Sequence, residues 1–242
     1  MISVLVNGAN GRMGQTALQA INDDDTLTCV AEGTRQTDLK ALINDVKPDV
    51  VLDLTIADAV FANTKTIIDA NVRPVIGTSG LLPEQIRELQ ALADANGIGG
   101  IIVPNFSLGA VLMMELSEQV AKYLPRAEII EMHHDKKQDS PSGTAISTAE
   151  RIAAARTDAI DVVKGRESIT GARGAMLEDV PIHAVRLPGV LAEQTVVFGN
   201  EGETLQIRHA SIDRSCFAGG IRLACHKATE FDKLVVGLQH AL

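Results

Sequence analysis

The sequence has no tryptophan, one tyrosine and five phenylalanines in 242 residues. Stacking on nucleic-acid bases needs aromatic platforms, so their scarcity argues against that class of partner. The formal charge of −9 argues the same way, because a polyanion is gripped by clustered Lys and Arg. Cysteine is sparse: Cys29, Cys216 and Cys225. They have neither the paired spacing of a zinc site nor the even count of a disulfide framework. Reduced thiols and no metal are expected. No apolar run approaches the roughly 20 residues that a membrane-spanning helix requires. The opening MISVLVNG carries no cationic segment and no small-residue cleavage site. The expectation is a cytoplasmic protein that binds neither membrane nor nucleic acid. Apolar residues, at 45%, suffice for a sizeable core. The length suits one large domain or two modest ones.

Residues 2–7 form a short β-branched run, the pattern of a buried parallel strand. It leads into GANGRMG at 8–14 and then a helical stretch, QTALQAIND. Strand, glycine turn and helix is the setting in which a glycine motif cradles a pyrophosphate. Gly8, Gly11 and Gly14 can serve tight turning, close backbone approach and helix–strand packing. The spacing is GxxGxxG rather than the commoner GxGxxG. A second strand over 27–31 ends at Glu32, where a carboxylate can accept from adenosine ribose hydroxyls. Further units follow: VVLDLT (50–55), a helix to about 70, PVIGTSG (74–80), a helix over 83–95 and GIIVPNFS (100–107). Alternating strands and helices with short loops predict an α/β fold: a doubly wound parallel sheet of the Rossmann type. The loops after its strands should line the ligand crevice.

Beyond residue 107 the pattern changes. A helix is expected over 108–124 and a strand over 127–134. An Ala-rich helix opens at Ser142-Gly143-Thr144, with Ser142 or Thr144 as its cap. Residues 157–179 read as a polar, glycine-dotted loop. Strands are expected over 181–187, 193–199 and 203–211, the last two as an antiparallel hairpin. The stretch 218–242 reads as helical. Together these predict a smaller α+β domain with a mixed sheet, at 105–213. Residues 1–104 and 214–242 are assigned to the dinucleotide domain, with hinge closure expected on binding.

One segment stands out: EMHHDKKQDSPSGTA, 131–145. Glu131, His133, His134, Lys137, Asp139, Pro141, Ser142, Gly143, Thr144 and Ala145 meet the pattern E-x-H-H-x-x-K-x-D-x-P-S-G-T-A. In this the sequence resembles the 4-hydroxy-tetrahydrodipicolinate (dihydrodipicolinate) reductase family, over essentially its whole length. GANGRMG, GTSG and PNFSLG match that family's cofactor segments in order. Leu54 departs from the family's usual Phe, and Gly33 follows Glu32 where the family often has Arg.

The resemblance implies reduction of a cyclic imine dicarboxylate by NADH or NADPH, in lysine and diaminopimelate biosynthesis. It implies cofactor contacts from Gly8, Ala9, Asn10, Gly11, Arg12 and Met13, and from Glu32. Gly77, Thr78 and Ser79 belong to the same set, as do Val103, Pro104, Asn105 and Phe106. His133 and Lys137 are the implied catalytic pair, and either could give the proton. His134, Ser142, Gly143 and Thr144 are the implied substrate contacts. The helix start at 142–144 is a ready anion site. Arg214 is a further candidate for approaching the cofactor. A homotetramer formed through the second sheet is also implied. Adjacent strand residues point to opposite faces, so His133 and His134 are a poor joint metal site. Two other readings fit less of the sequence: another Rossmann-type dehydrogenase, and a non-catalytic NAD(P)H-binding regulator.

Overall fold

A computed structural model describes residues 1–157 and 165–242. It divides into two compact units, Met1–Leu108 with Arg214–Leu242, and Gly109–Asp213. The first unit runs past the expected residue 104 because Phe106 is buried within it. A Cβ added at Gly220 would stand 1.9 Å from the Phe106 carbonyl oxygen.

In the first unit, β1 (Ile2–Asn7) leads to α1 (Arg12–Asn22), then β2 (Leu27–Gly33), α2 (Leu39–Val46) and β3 (Val50–Asp53). α3 (Ala57–Asp69), β4 (Arg73–Ile76), α4 (Pro83–Asn96) and β5 (Gly100–Ile102) complete the run. The six-stranded sheet has the order β11-β5-β4-β3-β1-β2, where β11 is Leu234–Val236 near the C-terminus. All its pairings are parallel. Leu5, Val51, Ile76, Ile102 and Leu234 share one core with Leu39 and Ile43 of α2, Ile67 of α3 and Leu89 of α4. Their neighbours Val4, Leu52, Val75 and Ile101 point to the opposite face and are equally buried. There α1 packs with α7 (Ala218–Ala228). Apolar character on both faces is what a sheet covered on both sides requires.

Two expectations need correction here, and one element was not foreseen. The stretch 218–242 is not helical throughout: α7 stops at Ala228, and Leu234-Val235-Val236 pairs with β5. That β-branched run fills the open edge of the sheet, which outweighs helical continuity. The first helix begins at Arg12, inside the glycine motif rather than after it. α2 was not anticipated. It is a short amphipathic helix with Leu39 and Ile43 buried, capped by the Asp38 side chain accepting from the Ala41 N–H at 3.1 Å.

In the second unit, α5 (Leu108–Ala121, its first residue in the other unit) precedes β6 (Arg126–His133) and α6 (Gly143–Ala155). β7 (Ala175–Leu177), β8 (Val180–Arg186), β9 (Ala192–Asn200) and β10 (Glu203–Ser211) follow. The sheet order is β10-β9-β6-β8-β7. β6 and β8 are parallel and the other pairs antiparallel, so the sheet is mixed. The β9–β10 hairpin forms as expected. β7 lies within the stretch read as a loop, of which 158–164 fall outside the described residues. β6 alternates: Ala127, Ile129 and Glu131 are buried while Glu128 and Ile130 are not. Ala145, Ala149 and Ile152 of α6 are also fully buried, and α6 packs on β6 and β8. Each large aliphatic side chain so buried contributes about 1.5–3 kcal/mol.

Candidate active site

The sheet order places the topological switch of the first unit between β1 and β3, where α/β sheets bind ligands outside their carboxyl ends. Gly8 opens the turn there with φ 90°. A Cβ on Gly8 would lie 2.5 Å from the Leu54 carbonyl oxygen, and one on Gly14 would lie 2.3 Å from that of Gly8. Both positions therefore exclude any side chain. Gly11 is the N-cap of α1 and offers no capping side chain, so the first N–H groups face the position of an anion. Met13, Leu54, Thr55, Gly77, Thr78 and Ser79 border a cavity of about 160 Å³ beside this turn. These features fit a dinucleotide.

Bonded to two of these residues is Asp53, the last residue of β3, with 0% exposure. Its Oδ2 accepts from Asn7 Nδ2 at 2.9 Å and Asn63 Nδ2 at 2.8 Å. Its Oδ1 accepts from Thr78 Oγ1 at 2.6 Å and from the Thr55 hydroxyl and N–H at 2.8 and 3.3 Å. Asn7 and Asp53 are register partners at the ends of adjacent strands.

Glu32 is exposed and is the penultimate residue of β2, one residue inside the strand rather than beyond it. Gly33 is buried, and a Cβ there would stand 2.5 Å from Asn7 Oδ1. Arg35 is exposed in a turn closed by the Thr37 N–H donating to the Thr34 oxygen at 3.0 Å. Asn10, Gly11 and Arg12 are exposed and Ala9 is buried. Val103 is buried, and its N–H donates to the Ile76 oxygen at 2.7 Å. The Phe106 ring occupies the space that a side chain at Gly77 would need. Pro104 is exposed and Asn105 half-buried, with the Asn105 Oδ1 accepting from the Ser107 N–H at 2.9 Å. Arg214 is exposed in the turn before α7.

In the second unit the organising group is Glu131, a carboxylate with 0% exposure. Residues 131 and 133 lie on the same face of β6, and His133 Nδ1 meets Glu131 Oε2 at 2.6 Å. Parallel pairing sets Arg186 beside His133. The guanidinium donates to both carboxylate oxygens at 2.8 Å, a bidentate fork. A further 2.8 Å bond to the Asp139 carbonyl ties it to the loop. The Ser142 N–H donates to Glu131 Oε1 at 3.1 Å, while Ser142 Oγ caps α6 by accepting from the Ala145 N–H at 3.2 Å. Ser142 therefore works inward, joining α6 to the carboxylate. A Cβ on Gly143 would meet nothing within 4 Å, so this glycine leaves open space at the helix start. Thr144 lies in the first turn and its carbonyl accepts from the Thr148 hydroxyl at 2.7 Å.

The strand ends at His133, so His134 belongs to the loop, where its carbonyl accepts from the Lys137 N–H at 3.1 Å. Lys137 Nζ donates to both oxygens of Asp139 at 2.8 and 2.7 Å. Burial alone would raise the Glu131 pKa, but the Arg186 and His133 bonds outweigh it and hold the group below its ordinary range. Burial lowers His133, with the Glu131 contact opposing and the Lys137 and Arg186 charges adding to the decrease. The Lys137 bond holds Asp139 low as well.

The fold thus gathers Glu131, His133, Lys137 and Ser142 in one unit, and the glycine turn, Thr78 and Ser79 at one sheet edge in the other. Sequence reasoning passed over Arg186. It also passed over the structural part of Glu131 and Asp53. A charged residue in phase with buried Ala127 and Ile129 was the available signal for Glu131. Among the described residues, no group of three His, Cys, Asp or Glu side chains could hold a metal ion. No helix among them is long and apolar enough to cross a membrane.

Residues 2–106 match the family model described as dihydrodipicolinate reductase, N-terminus, and residues 109–242 match its C-terminus counterpart. A 4-hydroxy-tetrahydrodipicolinate reductase of Legionella pneumophila is 52% identical over 239 residues, covering 99% of this chain and 98% of that one. Another, of Coxiella burnetii, is 46% identical over 242 residues, covering 100% and 99%. The structure of a dipicolinate-bound dihydrodipicolinate reductase from Paenisporosarcina sp. TG-14 superposes with a TM-score of 0.91. It is 39% identical and covers 100% of both chains.

Proposed function

The chain belongs to the dihydrodipicolinate reductase family, and on that premise we propose that it reduces 4-hydroxy-tetrahydrodipicolinate to tetrahydrodipicolinate with a nicotinamide cofactor, on the route to lysine and diaminopimelate. The observation that carries this reading is the buried Glu131 carboxylate, which grips His133, Arg186 and the start of α6 at once. The assay is oxidation of NADH followed by absorbance, with enzymatically generated substrate. No turnover with either nicotinamide would refute it.

The first unit is the dinucleotide domain and the second the substrate domain. When bound, the reduced nicotinamide supplies the hydride; orientation and proton handling fall to the chain. The glycine turn, Gly8 to Met13, holds the pyrophosphate. Gly77, Thr78 and Ser79 border the nicotinamide end, with the backbone of 103–106 beside them. In the second unit Glu131 accepts the Nδ1 hydrogen of His133, fixing that tautomer and leaving Nε2 for proton exchange. Lys137 is the second proton carrier, and Asp139 holds its ammonium until a substrate carboxylate competes for it. His134, Gly143 and Thr144 receive the carboxylates at the helix start, with Ser142 fixing that start in place.

Both NADH and NADPH serve, with a lean toward NADH. Glu32 accepts the ribose hydroxyls and repels a 2′-phosphate. Gly33 offers no charge, and Arg35 on the following turn provides partial compensation.

The assembly is a homotetramer. The sheet face opposite α6 leaves Ile130 38% and Met176 50% exposed, and further copies of the chain cover it. A monomer in sedimentation at micromolar concentration would overturn this.

A further inference from the structure

We infer that Asp53 is a positioning residue that fixes the hydrogen-bonding polarity of the nicotinamide pocket, making it an acceptor site that selects the amide N–H of the carboxamide. The inference rests on the dinucleotide reading above and deepens it.

The argument begins with the partners of the buried carboxylate. All five bonds to it come from donors: two asparagine amides on Oδ2, and two threonine hydroxyls and a backbone N–H on Oδ1. A carboxylate only accepts, and a hydroxyl has a single proton. Thr78 therefore spends its proton on Asp53 at 2.6 Å, and Thr55 does so at 2.8 Å. Thr55 also accepts from Asn63 Nδ2 at 3.1 Å, which leaves it one further lone pair. Thr78 keeps both.

Both threonines border the cavity, whose lining also includes Leu54 and Met13. With their protons on Asp53, the two hydroxyls can only accept in any further bond they make. A nicotinamide carboxamide has a carbonyl that accepts and an NH₂ that donates. The NH₂ is the half that this wall pairs with, and the carbonyl is turned away from it. A ring bearing a ketone in place of the amide has no donor to offer, so the remaining lone pairs of the two threonine oxygens lose water without gaining a partner, which weakens binding. Asp53 touches no reacting atom in this account. It acts through the two hydroxyls and also anchors the end of β1 through Asn7 and the middle of α3 through Asn63.

The test compares binding of NADH with that of reduced 3-acetylpyridine adenine dinucleotide, in which a methyl group replaces the NH₂. Calorimetric titration on the intact protein, without substrate, gives both affinities, and ADP-ribose serves as a reference lacking the ring. The wild type should bind the acetylpyridine analogue about tenfold more weakly than NADH, equivalent to about 1.4 kcal/mol. The Thr78→Val and Thr55→Val double variant should bind the two within about twofold of each other, and Thr78→Ser should keep the wild-type ratio. Asp53→Asn should likewise shrink the ratio of the two reduced-cofactor affinities. Equal affinity of the wild type for the two reduced cofactors, with ADP-ribose still binding, would overturn the polarity assignment and leave the dinucleotide reading intact. Failure of ADP-ribose and NADH to bind at all would overturn both.

Discussion

Replacing Arg186 with methionine removes the cation from a carboxylate that has no access to water. Glu131 then keeps only His133 Nδ1 and the Ser142 N–H as partners. Breaking a buried ion pair on one side typically costs about 3–5 kcal/mol. Two features place this pair at the lower end. The Arg186 side chain is 19% exposed, and its Nε is buried without a partner, so the native pair is not fully satisfied. The expected loss is about 3 kcal/mol, read by urea unfolding at neutral pH as a lower midpoint with an unchanged slope. The double variant Glu131→Gln with Arg186→Met removes both charges and should recover at least about 1 kcal/mol of that loss. A single-variant cost below about 1 kcal/mol, or a double variant as unstable as the two single losses summed, would refute the reasoning. The pH dependence follows with a definite sign. Glu131 is held below its ordinary value of 4.5, so its contribution is present above that pH and is lost as pH falls through the lower folded value. In Arg186→Met burial acts with less opposition, so the folded value moves back toward the ordinary one and the acid loss due to Glu131 should shrink.

Lys137→Ala and His133→Ala should each lower kcat by a factor of about 10² to 10⁴ while NADH affinity, read by titration, stays nearly constant. His134→Ala and Thr144→Ala should mainly raise the substrate KM, because they remove contacts made before the transition state. Arg35→Ala should weaken NADPH and spare NADH. The starting lean toward NADH is on the order of 1–2 kcal/mol, and a tenfold or greater wild-type preference for NADPH in kcat/KM would contradict it. Asp24 is lowered from 3.8 to about 2, chiefly by the Thr26 side chain, with His226 adding to it. Its contribution is present above pH 3.8 and lost toward pH 2; Asp24→Asn should remove about 1 kcal/mol after solvent screening, measured as unfolding free energy across that range.

Elements with a clear period were legible in the sequence. Residues 2–7 are β-branched and continuous, and the 193–199 and 203–211 segments alternate around a glycine turn; all three form strands. The candidate segment 131–145 stood out in the sequence because its residues are close together in the chain. What escaped depends on distant partners. Leu234-Val235-Val236 is too short to announce a strand, and only the open edge of β5 makes it one. α2 has eight residues, too few for a strong helical period. Arg186 sits 55 residues from Glu131, in a strand that reads as ordinary until parallel pairing with β6 sets it opposite His133. Asp53 within VVLDLT reads as an ordinary strand residue until the sheet order brings Asn7 beside it.

Gly33 carries a consequence for redesign. The obvious way to recruit NADPH is to write arginine directly after Glu32. The backbone has no room for it: the first added carbon would collide with Asn7 Oδ1, and that amide is held by its other end on Asp53. An arginine at 33 must therefore dislodge Asn7, and with it one of the ties that keep Asp53 in order. Gly33 at the end of β2 and the Asp53 network beside the cavity are not independent modules but two loads on one strut. Cofactor preference in this chain is more accessible to change from residue 35 than from residue 33, and a library that varies position 33 alone should return mostly variants weakened toward both cofactors.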